Sequence, residues 1–574
     1  MRWRDIKAGE LRLEHVGQRL ALAGWAARRR DHGGLVFIDL RDESGLAQLV
    51  INPERAPDAA AVAHEVRNEF VLRAEGEVAA RAPEAVNPSL PTGEVELQVD
   101  ELEIVSRSEP LPFQLDEENL DENVRLRYRY LDLRRERMQQ NLRLSATVVS
   151  AIRRFMDEHG FLDIWTPNLT KATPEGARDF LVPVRLQPGR FFALPQSPQI
   201  FKQILMVSGF GRYYQIATCF RDEDLRADRQ FEFRQLDLEM AFVEREDVLS
   251  VLEAAVVGAF EAVGEPTPPR PFPQLSYDEA ILKYGSDKPD LRFGLEIQDA
   301  TAVTRESEFG VFRNAPCVRY IVVPRTFSRA EHDRLVELAK EWGAKGLAQL
   351  GQIAKFLSER ELESFAVPEG STALFVADEE HVAARVLGLL RLHVANELDL
   401  IPGGVNLFHW IVDFPLFEQD EDTGAWTFLH HPFTAPMPGD EIWDESNPVG
   451  VRGQHYDLIW NGWELGSGSI RIHDVELQER VFRTMGLGEE EAHSKFGFLL
   501  EALAMGAPPH GGFAMGIDRF VARLAGEGDI RQVTAFPKVS SGSDPLTGAP
   551  TPMPAAVLAE SGIAALPQED SSPA

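Results

Sequence analysis

The stretch FRDEDLRADRQFEFRQLDLEMAF, residues 220–242, changes from dense charge to strict alternation. Seven of the ten residues from Arg221 to Gln230 are charged. The rest alternates between an apolar side and a polar side. The apolar side holds Leu236, Leu238, Met240 and Phe242, and the polar side holds Gln235, Asp237, Glu239 and Ala241. A period of two predicts a β-strand with one buried face.

The residues just before this stretch alternate in the same way, with Tyr214, Ile216, Thr218 and Phe220 on one side. We therefore predict an antiparallel hairpin. Its loop is longer and far more charged than the usual hairpin loop of about two to five residues. The function of the protein has to account for that charge and for the polar face of the returning strand.

The composition limits the class of protein. A chain of 574 residues has room for about three or four domains. Its net charge of −32 argues against a generally basic protein that coats DNA, although it leaves room for a local basic face. The two cysteines, Cys219 and Cys317, are too few for a disulfide framework or a structural zinc site.

The chain shows no sign of membrane targeting. Its N-terminus lacks the apolar core of a signal peptide, and no run of about 18 apolar residues occurs. We expect a cytoplasmic protein that does not span a membrane.

The domain organisation is predicted from changes in pattern. Residues 14–106 show three short strands, a helix and two further strands, which is the order of an OB-fold barrel, a common platform for single-stranded nucleic acid. A helix is predicted over 141–159, followed by a strand at FLDIWTP. The predicted boundaries are 1–108 for the barrel, 109–140 for a hinge, 141–297 and 406–550 for two parts of one domain, 298–405 for an inserted domain, and 551–574 for a mobile tail.

Polar residues concentrate in four segments outside the barrel: 173–180 with 194–203, the charged hairpin, 455–474 and 511–524. Arg221, Arg471 and Arg519 carry guanidinium groups suited to phosphate or carboxylate, and Arg519 lies near a helix start, where the dipole favours an anion. Asp457 and Glu464 are oxygen ligands of the kind that Mg²⁺ prefers. Together they favour a polyphosphate held for displacement at phosphorus.

The usual phosphate-binding loops are missing, because no G-x-x-x-x-G-K-[ST] and no strand-linked G-x-G-x-x-G occurs. A nucleotide would therefore bind on an antiparallel sheet. Taken singly, each cluster also has a plain reading: a solvated loop, a solvated acidic face or a local helix cap. Their occurrence together, each beside apolar strands, favours a site.

These segments resemble the three motifs of class II aminoacyl-tRNA synthetases. GFLDIWTPNLT is similar to motif 1, FRDED with RQFEFRQLDLE to motif 2, and GIDR to motif 3. TPEGARDFLVP, LPQSPQIFKQ, HHPFT and YGSDKPDLRFG resemble bacterial aspartyl-tRNA synthetases more specifically. The resemblance implies an α+β multidomain fold: an N-terminal OB-fold anticodon-binding barrel, a class II antiparallel-sheet catalytic domain in two parts, and an inserted α+β GAD-type domain.

The resemblance also implies a role for individual residues. Arg221 and Arg519 would be the catalytic residues, one on the α-phosphate of ATP and the other on its bent triphosphate. The aspartate site would consist of Glu175, Ser197, Gln199, Lys202, Arg221, Asp237, His430 and Arg471. The ATP site would consist of Arg221, Asp222, Glu223, Gln230, Phe233, Glu464, Gly516, Ile517, Asp518 and Arg519. Asp457 and Glu464 would ligate Mg²⁺.

The implied reaction is ATP-dependent activation of L-aspartate and its transfer to the 3′ end of tRNA(Asp). In the barrel, Phe37 would stack on an anticodon base, and Gln48 and Glu96 would read base edges. Arg28 and Arg30 would hold the RNA backbone. Motif 1 implies a homodimer.

His32 lies where strict family members tend to have Leu and relaxed members tend to have His. We therefore expect a non-discriminating enzyme that also aspartylates tRNA(Asn). Such an enzyme implies a separate tRNA-dependent amidotransferase downstream.

Several alternatives stay open at this point. They are an enzyme strictly specific for tRNA(Asp), an asparaginyl- or lysyl-tRNA synthetase, an ATP-dependent asparagine synthetase, and an OB-fold nucleic-acid-binding protein without ligase activity. Three positions depart from the family pattern: Phe231 stands where the family usually has Pro, Arg234 where it has Thr, and Ser467 where it has Gly. Alternation puts Arg234 on the Leu236 side of the strand, away from Asp237, so we expect it to be tolerated.

Overall fold

The structure is a computed structural model that describes residues 3–172, 176–420 and 423–564. The chain forms two compact units, Met1–Leu120 and Asp121–Ala574. Within the described ranges, no helix combines the length and the apolar character that a membrane span requires.

The first unit is a closed five-stranded barrel with strand order β1-β2-β3-β5-β4. Its interior is filled by fully buried aliphatic side chains such as Leu22, Ile38, Leu49, Leu72 and Leu97. This confirms the predicted OB-fold barrel. Its elements are β1 (Arg19–His32), β2 (Leu35–Asp42), β3 (Gly45–Ile51), α1 (Pro57–Glu65), β4 (Val71–Ala80) and β5 (Val95–Ser106).

The second unit begins with helices and then supplies the hairpin that the sequence predicts. The hairpin pairs β9 with β10 in antiparallel register, with Leu236 opposite Ile216 and Asp237 opposite Gln215. The elements of this part are α2 (Glu122–Arg127), α3 (Arg129–Asp132), α4 (Glu136–Glu158), β6 (Leu162–Asp163), β7 (Leu181–Pro183), β8 (Phe191–Ala193), α5 (Gln199–Val207), β9 (Arg212–Phe220), β10 (Glu232–Ala241), α6 (Arg245–Val263), β11 (Gln274–Ser276) and α7 (Tyr277–Tyr284).

A separate four-stranded sheet with its own apolar core follows, with strand order β12-β13-β15-β14. It occupies the region predicted as an insertion. Its elements are β12 (Gln298–Asp299), α8 (Thr301–Thr304), α9 (Gly310–Asn314), β13 (Cys317–Val323), α10 (Arg329–Glu341), β14 (Ala348–Gln349), α11 (Leu350–Ile353), α12 (Glu359–Ser364), β15 (Thr372–Asp378) and α13 (Glu380–Glu397).

The chain then returns to the sheet that contains the hairpin. The elements of this last part are β16 (Phe408–Val412), β17 (Phe417–Gln419), β18 (Trp426–Phe428), β19 (His455–Trp460), β20 (Trp463–Ile470), α14 (Val475–Thr484), α15 (Glu489–Ala504), β21 (His510–Gly516), α16 (Ile517–Leu524) and α17 (Ala555–Glu560).

The central sheet has eight strands in the order β11-β16-β19-β20-β21-β10-β9-β6. Only the two edge pairs, β11 with β16 and β6 with β9, are parallel. One face packs against α4, α6 and α16 through a single apolar core that includes Ile152, Leu236, Leu252, Phe260 and Phe520. The other face carries the polar side chains of β10, so the sheet separates the core from the site.

The structure differs from the sequence predictions at several element ends. Phe242 is 81% exposed rather than buried, because β10 ends at Ala241 and Phe242 has a positive φ of 58°. Helix α4 begins at Glu136 rather than at 141, and the strand at motif 1 spans only Leu162–Asp163.

Two predicted boundary segments also contain regular structure. The second compact unit begins at Asp121, within the predicted hinge of residues 109–140. Helices α2 and α3 of that unit therefore also lie inside the predicted hinge. Arg129 and Asp132 are fully buried there, and Arg129 donates to the carbonyl oxygens of Thr534 and Ala535. Part of the predicted tail forms helix α17, whereas residues 565–574 lie outside the described residues.

Candidate active site

A cavity of about 860 Å³ opens on the polar face of the central sheet. It is lined by parts of β10, β19, β20 and β21, by the charged loop of the hairpin, and by residues around α5. The four polar segments of the sequence therefore meet in one place, although they are separated by up to several hundred residues.

Four buried charges lie at this cavity: Asp237 and Arg471 line it, and Lys202 and Glu239 contact them. Lys202 on α5 donates to Asp237 Oδ1 at 3.1 Å, and its Nζ lies 3.4 Å from Glu239 Oε2. Arg471, directly after β20, donates from Nε to Glu239 Oε1 at 2.9 Å. All four side chains are at most 1% exposed. We call Lys202, Asp237, Glu239 and Arg471 the buried quartet.

The two carboxylates of the quartet differ in their environment. Burial raises the pKa of Asp237 above its ordinary value, although the positive charge of Lys202 opposes this. Burial also opposes ionisation of Glu239, but the charges of Arg471 and Lys202 outweigh it and lower the pKa of Glu239. Asp237 Oδ2 is buried with no hydrogen-bond partner among the described residues. An unpaired carboxylate oxygen facing a cavity fits a cationic group of a ligand.

Three histidines stack along the next wall of the cavity. The ring centroids of His430 and His455 are 4.2 Å apart, and those of His430 and His431 are 4.0 Å apart. His431 Nε2 accepts from Arg471 Nη1 at 2.5 Å. Burial and the neighbouring rings and positive charges hold the pKa values of His430 and His431 well below their ordinary value. Neutral rings can therefore accept hydrogen bonds and shape the pocket without adding charge.

The opposite end of the cavity presents cations and an aromatic face. The Arg221 guanidinium lies 5.1 Å from the centroid of the Phe233 ring. Arg519 donates to the Glu464 carbonyl oxygen at 2.7 Å and to Asp228 at 3.2 Å. Guanidinium groups held in this way can bind phosphates of a flat, stacked nucleotide.

Other predicted ATP residues lie around this end. Glu223 accepts from Arg229 at 2.9 Å, and Gln230 accepts from the Lys538 backbone amide at 2.8 Å. Gly516 and Asp518 line the cavity, as do Ser197 and Gln199 of the predicted aspartate set.

Of the predicted aspartate and ATP residues that the structure describes, Lys202, Asp222 and Ile517 do not line the cavity. The Ile517 side chain is fully buried in the apolar core, so only its backbone can face a ligand. Asp222 borders a neighbouring surface pocket with Arg178 and Ser541. Glu175 lies outside the described residues.

Asp457 and Glu464 both line the cavity, as expected for a cation site. Burial and the nearby charge of Asp457 raise the pKa of Glu464, while Lys288 and Arg519 oppose this. Among the described residues, no group of three or more His, Cys, Asp or Glu is placed to hold a metal. Two carboxylates that repel each other fit a Mg²⁺ ion that draws its other ligands from phosphates and water.

In the barrel, hydrogen bonds connect three of the predicted anticodon residues, Arg30, Gln48 and Glu96. Arg30 donates to Asp39 at 2.7 Å and to Gln48 at 3.4 Å, and Gln48 donates to Glu96 at 3.0 Å. Phe37 lies directly opposite Arg30 in the β1–β2 register. Arg28, two residues before Arg30 on β1, is exposed. His32 is exposed at the end of β1.

Comparison with known proteins identifies the family. Residues 121–540 match the model of the class II tRNA synthetases for D, K and N, and residues 20–105 match the OB-fold nucleic acid binding domain. The aspartate–tRNA ligase of Geobacillus kaustophilus is 49% identical, with 99% of this chain and 100% of that protein covered. This chain belongs to the aspartate–tRNA ligase family of class II synthetases. It is also 50% identical to the aspartate–tRNA(Asp/Asn) ligase of Natranaerobius thermophilus, over 94% of this chain and 96% of that protein.

Solved structures agree with this fold. The asparaginyl-tRNA synthetase of Pyrococcus horikoshii in complex with asparaginyl-adenylate matches with a TM-score of 0.61 at 18% identity, covering 93% of this chain and 97% of that one. The aspartyl-tRNA synthetase of Entamoeba histolytica matches with a TM-score of 0.57 at 19% identity, covering 92% and 89%. At such identities the likeness shows the fold alone.

Sequence reasoning missed three residues of the synthetase that the structure ties to its site. The alternation puts Glu239 on the polar face but assigns it no role, and the HHPFT segment contains His431 without indicating one. Arg234 donates to Asp518 from both its backbone and its side chain and also reaches Ser145 of α4 at 2.9 Å. The alternation that places Glu239 beside Asp237 was the available signal, but the partners of Glu239 and Arg234 are far away in sequence.

Glu239 is the carboxylate that pairs with Arg471. Removing its charge leaves Arg471 buried without an ion-pair partner. We expect Glu239→Gln to lower the free energy of unfolding by about 3–5 kcal/mol at pH 7, as breaking a buried ion pair typically does. The pKa of Glu239 is lowered from its ordinary 4.5, so its stabilisation is complete above that pH and is lost as the pH falls through the lowered value. The gap between variant and wild type should therefore narrow below about pH 4.5.

Urea unfolding of both proteins at several pH values measures this gap. The exposed Glu261→Gln, on α6, serves as the matched control. The assignment is wrong if Glu239→Gln is as stable as this control at pH 7.

Proposed function

We propose that this synthetase activates L-aspartate with ATP and transfers it to tRNA(Asp) and also to tRNA(Asn), acting in the cytoplasm where these tRNAs are used. The buried quartet is the single observation that carries the choice of amino acid. Two cations and two carboxylates are paired at one cavity, and one carboxylate oxygen there has no hydrogen-bond partner among the described residues. The printed names of the relatives support the same substrate.

The pocket can recognise each end of aspartate by charge. Asp237 Oδ2 would accept from the ammonium group, and Lys202 and Arg471 would donate to the side-chain carboxylate. Asparagine would present an amide N–H₂ to the same two donors, and this unpaired contact disfavours it. The rings of His430 and His431, which burial keeps neutral by lowering their pKa values, line the pocket without adding positive charge.

In the first step, an α-carboxylate oxygen of aspartate attacks the α-phosphorus of ATP. A new P–O bond forms and the bond to the bridging oxygen breaks, so pyrophosphate leaves with the electron pair. Arg221 would neutralise the α-phosphate and hold the attacking carboxylate in line, while its neighbour Phe233 stacks on the adenine. Arg519 would hold the departing phosphates. Positioning and charge neutralisation then supply the catalysis, and no side chain acts as a covalent nucleophile.

Asp457 and Glu464 would hold Mg²⁺ beside the phosphates, where the ion supplies further neutralisation of their negative charge. In the second step, a ribose hydroxyl at the 3′ end of tRNA attacks the acyl carbon of aspartyl-adenylate. The ester C–O bond forms, the mixed-anhydride bond breaks, and AMP leaves. The long charged loop of the hairpin borders the cavity and would meet the acceptor end of the tRNA.

A homodimer is part of the proposal. The motif 1 segment forms the edge strand β6, where Leu162 is 48% exposed, and Trp165 beyond it is 80% exposed. Apolar side chains beside an exposed sheet edge suit a subunit contact. Sedimentation analysis should give a dimer, and an active monomer at micromolar concentration would rule this part out.

The charges of the amino-acid pocket determine which amino acid supports pyrophosphate exchange. Pyrophosphate exchange into ATP should depend on L-aspartate and proceed with neither L-asparagine nor L-lysine. Arg471→Ala should raise the KM for aspartate by about 30-fold or more, because loss of a buried charge partner costs about 2–5 kcal/mol. The exposed Arg483→Ala, on α14, is the control and should match wild type. Equal aspartate kinetics in wild type and Arg471→Ala would overturn the pocket assignment.

The choice of tRNA rests on a smaller difference. The anticodons of the two tRNAs differ only in the third base, C against U, and one base contact is worth about 1–3 kcal/mol. His32 is exposed beside Gly33 and Gly34, both at positive φ, at the end of the strand that carries Arg28 and Arg30. A protein that aspartylates tRNA(Asn) needs a separate amidotransferase to convert the product, and such a partner is part of the proposal.

Separate charging of the two purified transcripts tests this choice. We expect wild type to aspartylate both with efficiencies within about tenfold, and His32→Leu to shift the ratio towards tRNA(Asp). His64→Leu, an exposed histidine on α1 of the same unit, should leave the ratio unchanged. A wild-type preference for tRNA(Asp) of about a hundredfold or more would show a strict enzyme.

A further inference from the structure

The segment GSDKPDLRFG, residues 285–294, connects helix α7 to the inserted sheet and also reaches the active-site cavity. Asp287 and Lys288 line that cavity. Lys288 Nζ lies 3.7 Å from Glu464 Oε2, and the same Glu464 supplies the carbonyl oxygen that Arg519 contacts. Lys288 is therefore a second cation at Glu464 besides Arg519, and it lines the cavity without a role in the predicted site.

This segment is fixed from the insertion side by one buried arginine. Arg391 on α13 is 1% exposed and donates to the carbonyl oxygens of Asp290 at 2.7 Å, Phe293 at 2.9 Å and Gly294 at 3.1 Å. Its guanidinium lies 4.0 Å from the Phe293 ring centroid. Burial lowers the pKa of Arg391 to about 10. A buried cation that donates to three carbonyl oxygens of one loop holds the backbone of that loop in place.

The backbones of the loop and of α13 also touch directly. A Cβ added to Gly285, which has a φ of +65°, would lie 2.0 Å from the Ala384 carbonyl oxygen. A Cβ added to Gly388 would lie 2.7 Å from the Tyr284 carbonyl oxygen. This approach leaves no room for side chains, so the loop and the helix are closely apposed.

On its other side the loop packs against the strand pair that carries Glu464. A Cβ added to Gly462, in the turn between β19 and β20, would lie 3.2 Å from the Asp290 Cβ. The loop is thus held between α13 of the insertion and the β19–β20 turn. Any change in how the loop packs against α13 would displace Lys288 relative to Glu464 and Arg519.

We propose that Lys288 is a further binding residue for the β- and γ-phosphates of ATP, and that Arg391 of the inserted domain is the positioning residue that presents it. The insertion is then a structural part of the nucleotide site. A lysine ammonium at Glu464 adds a point charge where negative charge accumulates on the departing pyrophosphate. This inference rests on the proposed ATP site and concerns one residue of it and its support.

Pyrophosphate exchange with ATP and aspartate varied in turn tests the role of Lys288. Lys288→Met should raise the KM for ATP by about tenfold while leaving the KM for aspartate within about twofold, since one charge-assisted contact to phosphate is lost. Lys288→Arg should restore most of the ATP affinity. An unchanged KM for ATP in Lys288→Met would overturn the proposal, whereas a wild-type enzyme without aspartate-dependent exchange would overturn the proposed function itself.

The role of Arg391 is tested through Lys288. Arg391→Met should also raise the KM for ATP, and the double variant with Lys288→Met should have a KM for ATP no more than about twofold above that of Lys288→Met alone. Arg319→Met is the matched control, because Arg319 is a buried arginine of the same insertion that pairs with Glu380. Arg391 does not act through Lys288 if Arg391→Met lowers only kcat, as a loss of folded protein would. The same conclusion follows if the KM for ATP of the double variant equals the product of the two single effects.

Discussion

The structure of the site depends on the ion pairs and hydrogen bonds that connect Lys202, Asp237, Glu239 and Arg471. Each ion loses its hydration in the interior, at a cost of several kcal/mol, and mutual attraction repays this only with good geometry. The quartet meets that condition by pairing each cation with a carboxylate at 2.9–3.1 Å. An apolar cluster of similar shape would serve stability at least as well. The retained charges are therefore best explained by the ligand that the pocket binds.

The central sheet makes the quartet possible. On one face of the sheet, strand β10 packs Leu236, Leu238 and Met240 into the apolar core. On the other face, Asp237 lines the cavity and Glu239 pairs with Arg471. Strand β21 pairs with both β10 and β20, and this brings residues that are far apart in sequence next to each other. A Cβ added to Gly468 would lie 2.2 Å from the Gly512 carbonyl oxygen, and one added to Gly512 would lie 1.9 Å from Glu239 Oε2. These glycines leave the space in which the Glu239 carboxylate reaches Arg471.

The sequence allowed the strands to be predicted where local periodicity decides them. Residues 235–241 form the predicted strand, but both of its faces are buried. The alternation arises because one face packs on the apolar core and the other carries the buried charges of the site. The prediction failed at Phe242, where the chain turns and the alternation no longer reports on burial. Long-range pairs were out of reach, since Glu239 and Arg471 are 232 residues apart and Arg234 and Asp518 are 284 apart. Spacing along the chain carries no record of such contacts. The resemblance to a family supplied the predicted roles of the site residues, whereas Lys288 and Arg391 emerged only from the packing of the inserted sheet.

A crystal structure of the full chain with a non-hydrolysable aspartyl-adenylate analogue would test the central claim most directly. We expect the side-chain carboxylate within hydrogen-bond distance of Lys202 and Arg471, with Asp237 accepting from the ammonium group and Glu239 still paired with Arg471. Binding of the analogue with its side-chain carboxylate away from both cations would contradict the account, because the quartet would then have no part in the choice of amino acid.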